Sequence, residues 1–275
     1  GSMTAAPARR DGTCVIVQLD LPPRGHTVLL VSDKPAAPAT PRPAPTLQPV
    51  SLAAPRITRT QPNLFYIDYC DVEAYGQVRT NVPTIVADHT NWEWQGFDRN
   101  PWVRQFRRTL IDRQPDPTSE LRVRYHFSVK GLNAAARAAL RVGIERPWLY
   151  QLELNGVPLD QSKGVRWFDE AMRALPIGTH VKEGKNILTM TARPFQLLCQ
   201  VMPIYVIGEF NLAPAARGFT IINPAAPSVG DWTTQGLPFY PDRVRYAYPF
   251  TLANDAAALL VRLGAWEGSA AAVVL

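Results

Sequence analysis

The sequence predicts an all-β fold: an antiparallel β-sandwich with one small helical excursion and, towards the C-terminus, a partial second β-unit. Three observations predict it. Short runs rich in Val, Ile, Leu and aromatic residues recur between turn signals along most of the chain, which is the pattern of a sandwich. The stretch Trp148–Leu159 reads W-L-Y-Q-L-E-L-N-G-V-P-L, two β-prone runs around Asn155-Gly156, the strongest short-range hairpin signal. Only Leu132–Val142, rich in Ala and Leu, is helical by propensity. Further on, Lys182–Thr191 reads K-E-G-K-N-I-L-T-M-T, a charged Gly turn leading into an alternating strand that is expected in the same antiparallel sheet as the hairpin.

In chain order, Gly1-Ser2-Met3 reads as an expression scar. Cys14–Leu21 and Thr27–Ser32 read as two strands joined by a Pro-Pro-Arg-Gly turn, a hairpin that is marginal alone and needs a sheet to join. Pro35–Pro55 is dominated by Pro and Ala, a composition that favours extended polyproline II over ladders or helices. It reads as a linker, with a PxxP ligand as the alternative. From Asn63 the strand signals crowd together. Leu64–Val72 reads as one strand and Val82–Ala87 as a short edge strand. An aromatic loop follows, Asn91–Trp102, N-W-E-W-Q-G-F-D-R-N-P-W. Val103–Ile111 and Leu121–Val129 then alternate as strands around an Asp-Pro turn. After the hairpin, Trp167–Leu175 reads as a short helix or loop, Ile187–Arg193 as a strand and Val201–Leu212 as one long closing strand.

These readings divide the chain into 1–34 (scar and hairpin), 35–60 (linker), 61–215 (sandwich) and 216–275 (partial second unit). The last division rests on an internal echo. The order of aromatic strand, apolar strand and strand leading to a hairpin in Val103–Asn155 returns in Val244–Leu275, but stops where the first copy supplies its Asn-Gly turn. A piece of a longer polypeptide is therefore expected, with a last apolar strand that its own chain leaves as an exposed edge.

With 275 residues the chain can hold one large or two ordinary domains. Hydrophobic residues at 46% against 19% charged describe a globular protein and not a disordered one. No run of about eighteen apolar residues marks a membrane span, and no signal pattern opens the chain. The formal charge of +6 raises a polyanion as partner, yet the arginines are scattered and no run of five like charges occurs. The group Arg104, Arg107, Arg108 and Arg113 reads as an exposed strand face or as a surface for an acidic sugar or phosphate. Neither nucleic acid nor membrane is an expected partner. Cys14, Cys70 and Cys199 lie far apart without a C-x-x-C spacing, so buried free thiols are expected, with a single disulfide left open.

The usual catalytic signatures G-x-S-x-G, H-E-x-x-H and G-x-G-x-x-G are missing, and the four histidines are dispersed. Aromatic residues on loops are the better signal, because Trp and Tyr rings stack on the apolar faces of sugars while amides, carboxylates and Arg bond their hydroxyls. Two clusters fit. One is Trp92, Trp94 and Trp102 with Phe97; the other is Trp232, Gln235 and Tyr240 with Phe239. The same rings can fill a core, and the sequence leaves both roles open. Trp148 and Trp167 read as core. Glycosidase chemistry needs two carboxylates about 5–10 Å apart; Glu93, Asp98, Glu153, Asp169 and Glu170 are available, and Glu93, Asp98, Asp169 and Glu170 are the candidates for an acid-base pair.

The text L-N-G at Leu154–Gly156, the aromatic-acidic segment Val165-Arg166-Trp167-Phe168-Asp169, the Pro-Ile-Gly turn and E-G-K-N-I-L-T-M-T-A-R together resemble the galactose-binding-like jelly-roll modules of large glycoside hydrolases, including family 2 and the α-L-rhamnosidase-like family 106. The segment W-T-T-Q-G-L-P-F-Y from Trp232 resembles another that recurs in such β-modules. The resemblance covers Asn63 to Leu275. It implies a non-catalytic carbohydrate-binding or structural module of a secreted or periplasmic hydrolase acting on plant or microbial polysaccharide, with its catalytic centre in a separate barrel. Carbohydrate and the other domains of that parent would be the partners. No cofactor is implied, a structural calcium being left open. Catalytic residues do not carry over, because fold alone does not fix function. The alternative is a glycan hydrolase with its own Asp/Glu pair.

Overall fold

The computed structural model describes residues 6–21, 27–31, 48–97, 116–252, 259–264, 268 and 270–274. The chain forms two units, Leu52–Thr251 and the combination of Gly1–Ser51 with Leu252–Leu275. In the latter, β1 (Ala8–Asp11) and β2 (Cys14–Val17) pair antiparallel with Asp11 opposite Cys14, and Gly12 turns the chain at φ 59°. The expected partner run behaves differently, since residues 27–31 carry no strand. Cys14 pairs upstream because Gly12 offers the left-handed turn residue.

The unit Leu52–Thr251 carries β3 (Arg56–Arg59), β4 (Asn63–Ile67), β5 (Tyr69–Ala74), β6 (Gln77–Pro83), helix α1 (Thr84–Trp94), β7 (Leu121–Lys130), helix α2 (Ala134–Ala138), β8 (Arg141–Glu145), β9 (Gln151–Leu154), β10 (Val157–Pro158), β11 (Val165–Trp167), β12 (Asp169–Pro176), β13 (Gly184–Ala192), β14 (Ile204–Gly208), β15 (Asn211–Pro214), β16 (Phe219–Ile222) and β17 (Val244–Ala247). Most strands lie in two antiparallel sheets. The larger runs β10-β9-β13-β7, and the far edge of β7 is shared by two neighbours. β5, with β6 beyond it, lies against Arg122–Arg124, while β16, with β15 beyond it, lies parallel to Ser128–Lys130. The smaller sheet runs β11-β12-β8-β14-β4, and β17 pairs separately with β3.

Alternation builds the core. Along β7, Leu121, Val123, Tyr125, Phe127 and Val129 point inward, and the residues between them face out. They join Leu152, Leu154, Leu188 and Met190 of the same sheet and Phe65, Val142, Ile144, Ile204 and Val206 of the smaller sheet in one buried cluster. The expected hairpin is present: Leu154 pairs with Val157 around Asn155 (φ 54°) and Gly156 (φ 78°), the double positive φ of a type I′ turn. Its strand β9 pairs with β13 in one antiparallel sheet.

Other elements differ from the sequence reading for identifiable reasons. Leu64–Val72 breaks at Asp68 into β4 and β5, which lie in different sheets. The buried positions shift from Phe65 and Ile67 to Cys70, Val72 and Ala74, a phase change that a single period-2 strand cannot satisfy. Val201–Leu212 likewise divides into β14 and β15 across the two sheets. β6 ends at Pro83, and the residues read as an edge strand and the start of an aromatic loop form α1. Strand Val103–Ile111, with its arginine group, lies outside the described residues. The helical excursion shrinks to α2, capped by the Asn133 side chain, because β8 takes up Arg141 onward. Trp167–Leu175 lies in the β11–β12 hairpin instead of a helix or loop. β16 and β17, which fall in the expected second unit, are hydrogen-bonded to β7 and β3. In the second copy of the echo, residues 259–264 and 270–274 carry no strand.

Cys70 and Cys199 are buried free thiols, whereas Cys14 is free and exposed. Burial pushes the Cys70 thiol up to about 12 and that of Cys199 to about 11. Since the thiolate is the reactive form, one cysteine per native chain should react with a disulfide reagent at neutral pH and all three after unfolding. A count of released chromophore before and after adding denaturant checks this.

Candidate functional site

The aromatic residues singled out by sequence fall into two structural settings. Trp92 lies on the inner side of α1, 1% exposed, edge-on to Phe97 and Phe195 at 5.6 and 5.2 Å between ring centres. Its Nε1 donates to Asp88 Oδ2 at 3.0 Å, and Asp88 Oδ1 accepts from the Val201 amide at 2.9 Å. Burial raises the Asp88 carboxyl above its ordinary range, and these hydrogen bonds pull it partly back. Trp94 is half-buried against the same core. Trp102 and Asp98 lie outside the described residues.

The second cluster does assemble. Trp232 meets Tyr240 edge-on at 6.0 Å. The Tyr240 hydroxyl accepts from the Thr60 and Gln61 amides at 3.0 and 3.1 Å and donates to the Arg243 carbonyl at 2.9 Å. Gln235 accepts from the Ser228 amide at 2.7 Å and donates to the Ser228 and Asp231 carbonyls. Gln235 is therefore spent on fixing its own loop and the Tyr240 hydroxyl on tying that loop to Thr60 and Gln61, and Tyr240 is only 9% exposed.

The described carboxylates sit on two elements, Glu93 on α1 and Asp169 with Glu170 on β12. Glu93 lies on α1, beside Arg79, His89 and Thr90 in a depression of about 310 Å³. Asp169 caps the start of β12 by accepting from the Ala171 and Met172 amides at 2.7 and 3.0 Å. Glu170 is paired with Arg166 at 2.7 Å. Among the described residues no group of three or more His, Cys, Asp or Glu could hold a metal ion, and no helix is long and apolar enough to cross a membrane.

A second concavity lies elsewhere, on the outer face of the larger sheet. It measures about 360 Å³ and is lined by Arg122, Arg124, Gln151, Glu153, Thr189, Thr191 and Arg193. Strand register builds it. Glu153 lies opposite Thr189, and Thr189 opposite Arg124; one row along, Gln151 lies opposite Thr191, and Thr191 opposite Arg122. Two parallel rows result, each running from acceptor-bearing side chain through hydroxyl to guanidinium, on strands about 4.8 Å apart.

One wall of this depression is locked and the other is open. Glu73 accepts from Arg122 at 3.1 Å and from Arg124 at 2.6 Å. Glu120 accepts from Arg122 at 2.9 Å and is also paired with Arg193. These shared, partly buried pairs hold the guanidinium planes in place, which lowers the entropy lost when a ligand uses their remaining N–H groups. Gln151, Glu153, Thr189 and Thr191 have no side-chain hydrogen bond among the described residues. Arg122, Arg124 and Arg193 are matched by Glu73, Glu120 and Glu153, so the face is formally neutral.

Alternation along β7, β9 and β13 turns these residues outward. It could not reveal the site, because only the β9-β13-β7-β5 register sets the rows side by side. No protein-family model matches the chain, and no curated protein matches it.

Proposed function

We propose that the chain is a non-catalytic carbohydrate-binding module, a jelly-roll accessory domain of a multidomain glycoside hydrolase acting on plant or microbial polysaccharide, and that the polar depression on its larger sheet holds the sugar. The observation that supports this reading is the pair of rows in which free carboxylate, amide and hydroxyl groups face immobilised guanidinium groups. Vicinal hydroxyls of a sugar both donate and accept, and such rows answer them with acceptors at one end and donors at the other. The formal neutrality of the face favours a neutral glycan over a polyanion. Calcium is not part of this proposal, and the parent enzyme's acid and base would lie in another domain.

The test is binding to immobilised neutral and acidic polysaccharides, with turnover of aryl glycosides followed in parallel. The double variant Glu153→Ala/Thr189→Val should lose at least about tenfold in affinity, equivalent to about 1.4 kcal/mol, with unchanged thermal stability because both side chains are solvent-facing. Absence of binding to every glycan would defeat the reading. Turnover abolished by Glu93→Gln or by Asp169→Asn would favour the hydrolase alternative instead.

A further inference from the structure

On the outer face of the smaller sheet a chain of rings replaces the polar residues expected of a solvent-facing strand surface. Phe168 stands alone between β11 and β12, whose ends pair Trp167 with Asp169. Its backbone is left-handed at φ 64° and it is 89% exposed. An aromatic residue is a poor choice for that conformation, and an exposed ring gains nothing from the core. Trp167 follows at 6.2 Å, Tyr205 at 5.3 Å from Trp167, and Tyr66 at 5.6 Å from Tyr205, measured between ring centres. Register sets Tyr66, Tyr205 and Gly143 in one row. The Trp167 ring lies over Gly143 so closely that a Cβ there would sit 2.5 Å from its Cζ3. The sheet thus leaves a bare patch of backbone for the indole.

We propose that Phe168, Trp167, Tyr205 and Tyr66 form a second ligand-binding surface, an aromatic platform on which the rings of a carbohydrate chain stack. It rests on the carbohydrate reading of the module but not on the polar depression. The polar groups choose this occupant over a protein or a lipid. Neither the Tyr66 nor the Tyr205 hydroxyl has a hydrogen-bond partner among the described residues, so a polyol would satisfy what an apolar surface would bury unpaired. The platform is bordered by Asp68 and Glu145, close enough to Tyr66 and Tyr205 respectively to add to the upward push of burial on the two phenols. At the tip the Arg166–Glu170 pair is neutral. Glu145 is itself paired with Arg146 at 2.7 Å, and the carboxylate oxygens left over along this border accept hydrogen bonds from sugar hydroxyls. The two binding surfaces lie on opposite faces of the sandwich, so one module bridges two glycan chains.

The experiment measures affinity of the full chain for the polysaccharides that the wild type binds, together with the turbidity that bridging produces. Phe168→Gly relieves the left-handed backbone and should leave thermal stability equal or higher while weakening binding about tenfold and abolishing turbidity. Tyr66→Phe/Tyr205→Phe keeps the rings and should weaken binding severalfold. Glu153→Ala/Thr189→Val should also abolish turbidity yet retain the platform's share of binding. Full binding and turbidity in both platform variants would overturn the platform while leaving the module reading intact. A wild type that binds no glycan would overturn both. Glycan binding unaffected by Phe168→Gly, with loss of adhesion to phosphatidylglycerol vesicles in that variant, would reassign the surface to lipid.

Discussion

Replacing Trp92 by alanine should lower the unfolding free energy by about 3–5 kcal/mol and the melting temperature by on the order of 10 °C. The indole is among the largest fully buried side chains, and it wedges α1 against Phe97 and Phe195. Its removal opens a cavity and also takes a donor from Asp88. Trp92→Phe separates the two effects, since it keeps most of the volume and loses only the Nε1 hydrogen bond. The Phe variant should cost about 1–2 kcal/mol at neutral pH. Its sign with pH follows from Asp88. Folding raises this carboxyl above its unfolded value of 3.8, because burial outweighs the hydrogen bonds. The associated stability is fully present below that value and is lost as pH rises through the folded one. Without the indole donor the folded value climbs further, so the gap between Trp92→Phe and the wild type should widen from acid to neutral pH. Urea titrations at several pH values measure it. A constant gap would mean that the Asp88 carboxylate does not depend on the indole.

Trp92 also shows how far sequence reading reaches. The letters N-W-E-W announce aromatic residues but not the helix that turns the first of them inward. Local propensity is silent there, because α1 begins behind Pro83 with no side-chain cap and no acidic first turn. Its position is decided by packing on β5 and by Asp88 gripping Val201, contacts distant in sequence. The break at Asp68, by contrast, was written in the chain. The apolar positions move from odd to even between Ile67 and Cys70, and a stricter count of the alternation finds the point where the strand changes sheets. The polar depression was half legible. Arg122, Arg124, Glu153 and Thr189 each occupy an outward position, but adjacency across strands is a property of register, to which period-2 patterns are blind. Phe168 was legible as text and not as structure. Nothing in V-R-W-F-D foretells a left-handed aromatic, because the conformation is imposed by the pairing of Trp167 with Asp169 on either side.

The two stretches that most clearly signalled strands prove to be joined by their asparagines, and this sets the other large effect. Asn186 is fully buried; its Oδ1 accepts from the Lys182 amide at 2.8 Å and from Asn155 Nδ2 at 2.9 Å. Its Nδ2 donates to the Lys182 and Gly184 carbonyls at 2.9 and 3.0 Å. Asn155, held left-handed in the hairpin turn, also donates to the His180 carbonyl and accepts from the Ile187 amide. One buried amide therefore fastens the turn after β9 to the loop that leads into β13, and with it the edge of the sheet that carries Gln151 and Glu153. Asn186→Leu has similar volume but strands four polar partners, and should cost about 3 kcal/mol or more. Asn186→Asp should be at least as damaging at neutral pH, because a carboxylate cannot donate and faces two carbonyl oxygens. Those oxygens and burial raise the folded pKa of the new acid, so its contribution is lost as pH rises and regained as pH falls, when the protonated carboxyl donates again. Thermal melts should therefore show the Asp variant recovering part of its deficit in acid and the Leu variant recovering none. Parallel pH profiles for the two would show that donation to the Lys182 and Gly184 carbonyls is not what holds the loop.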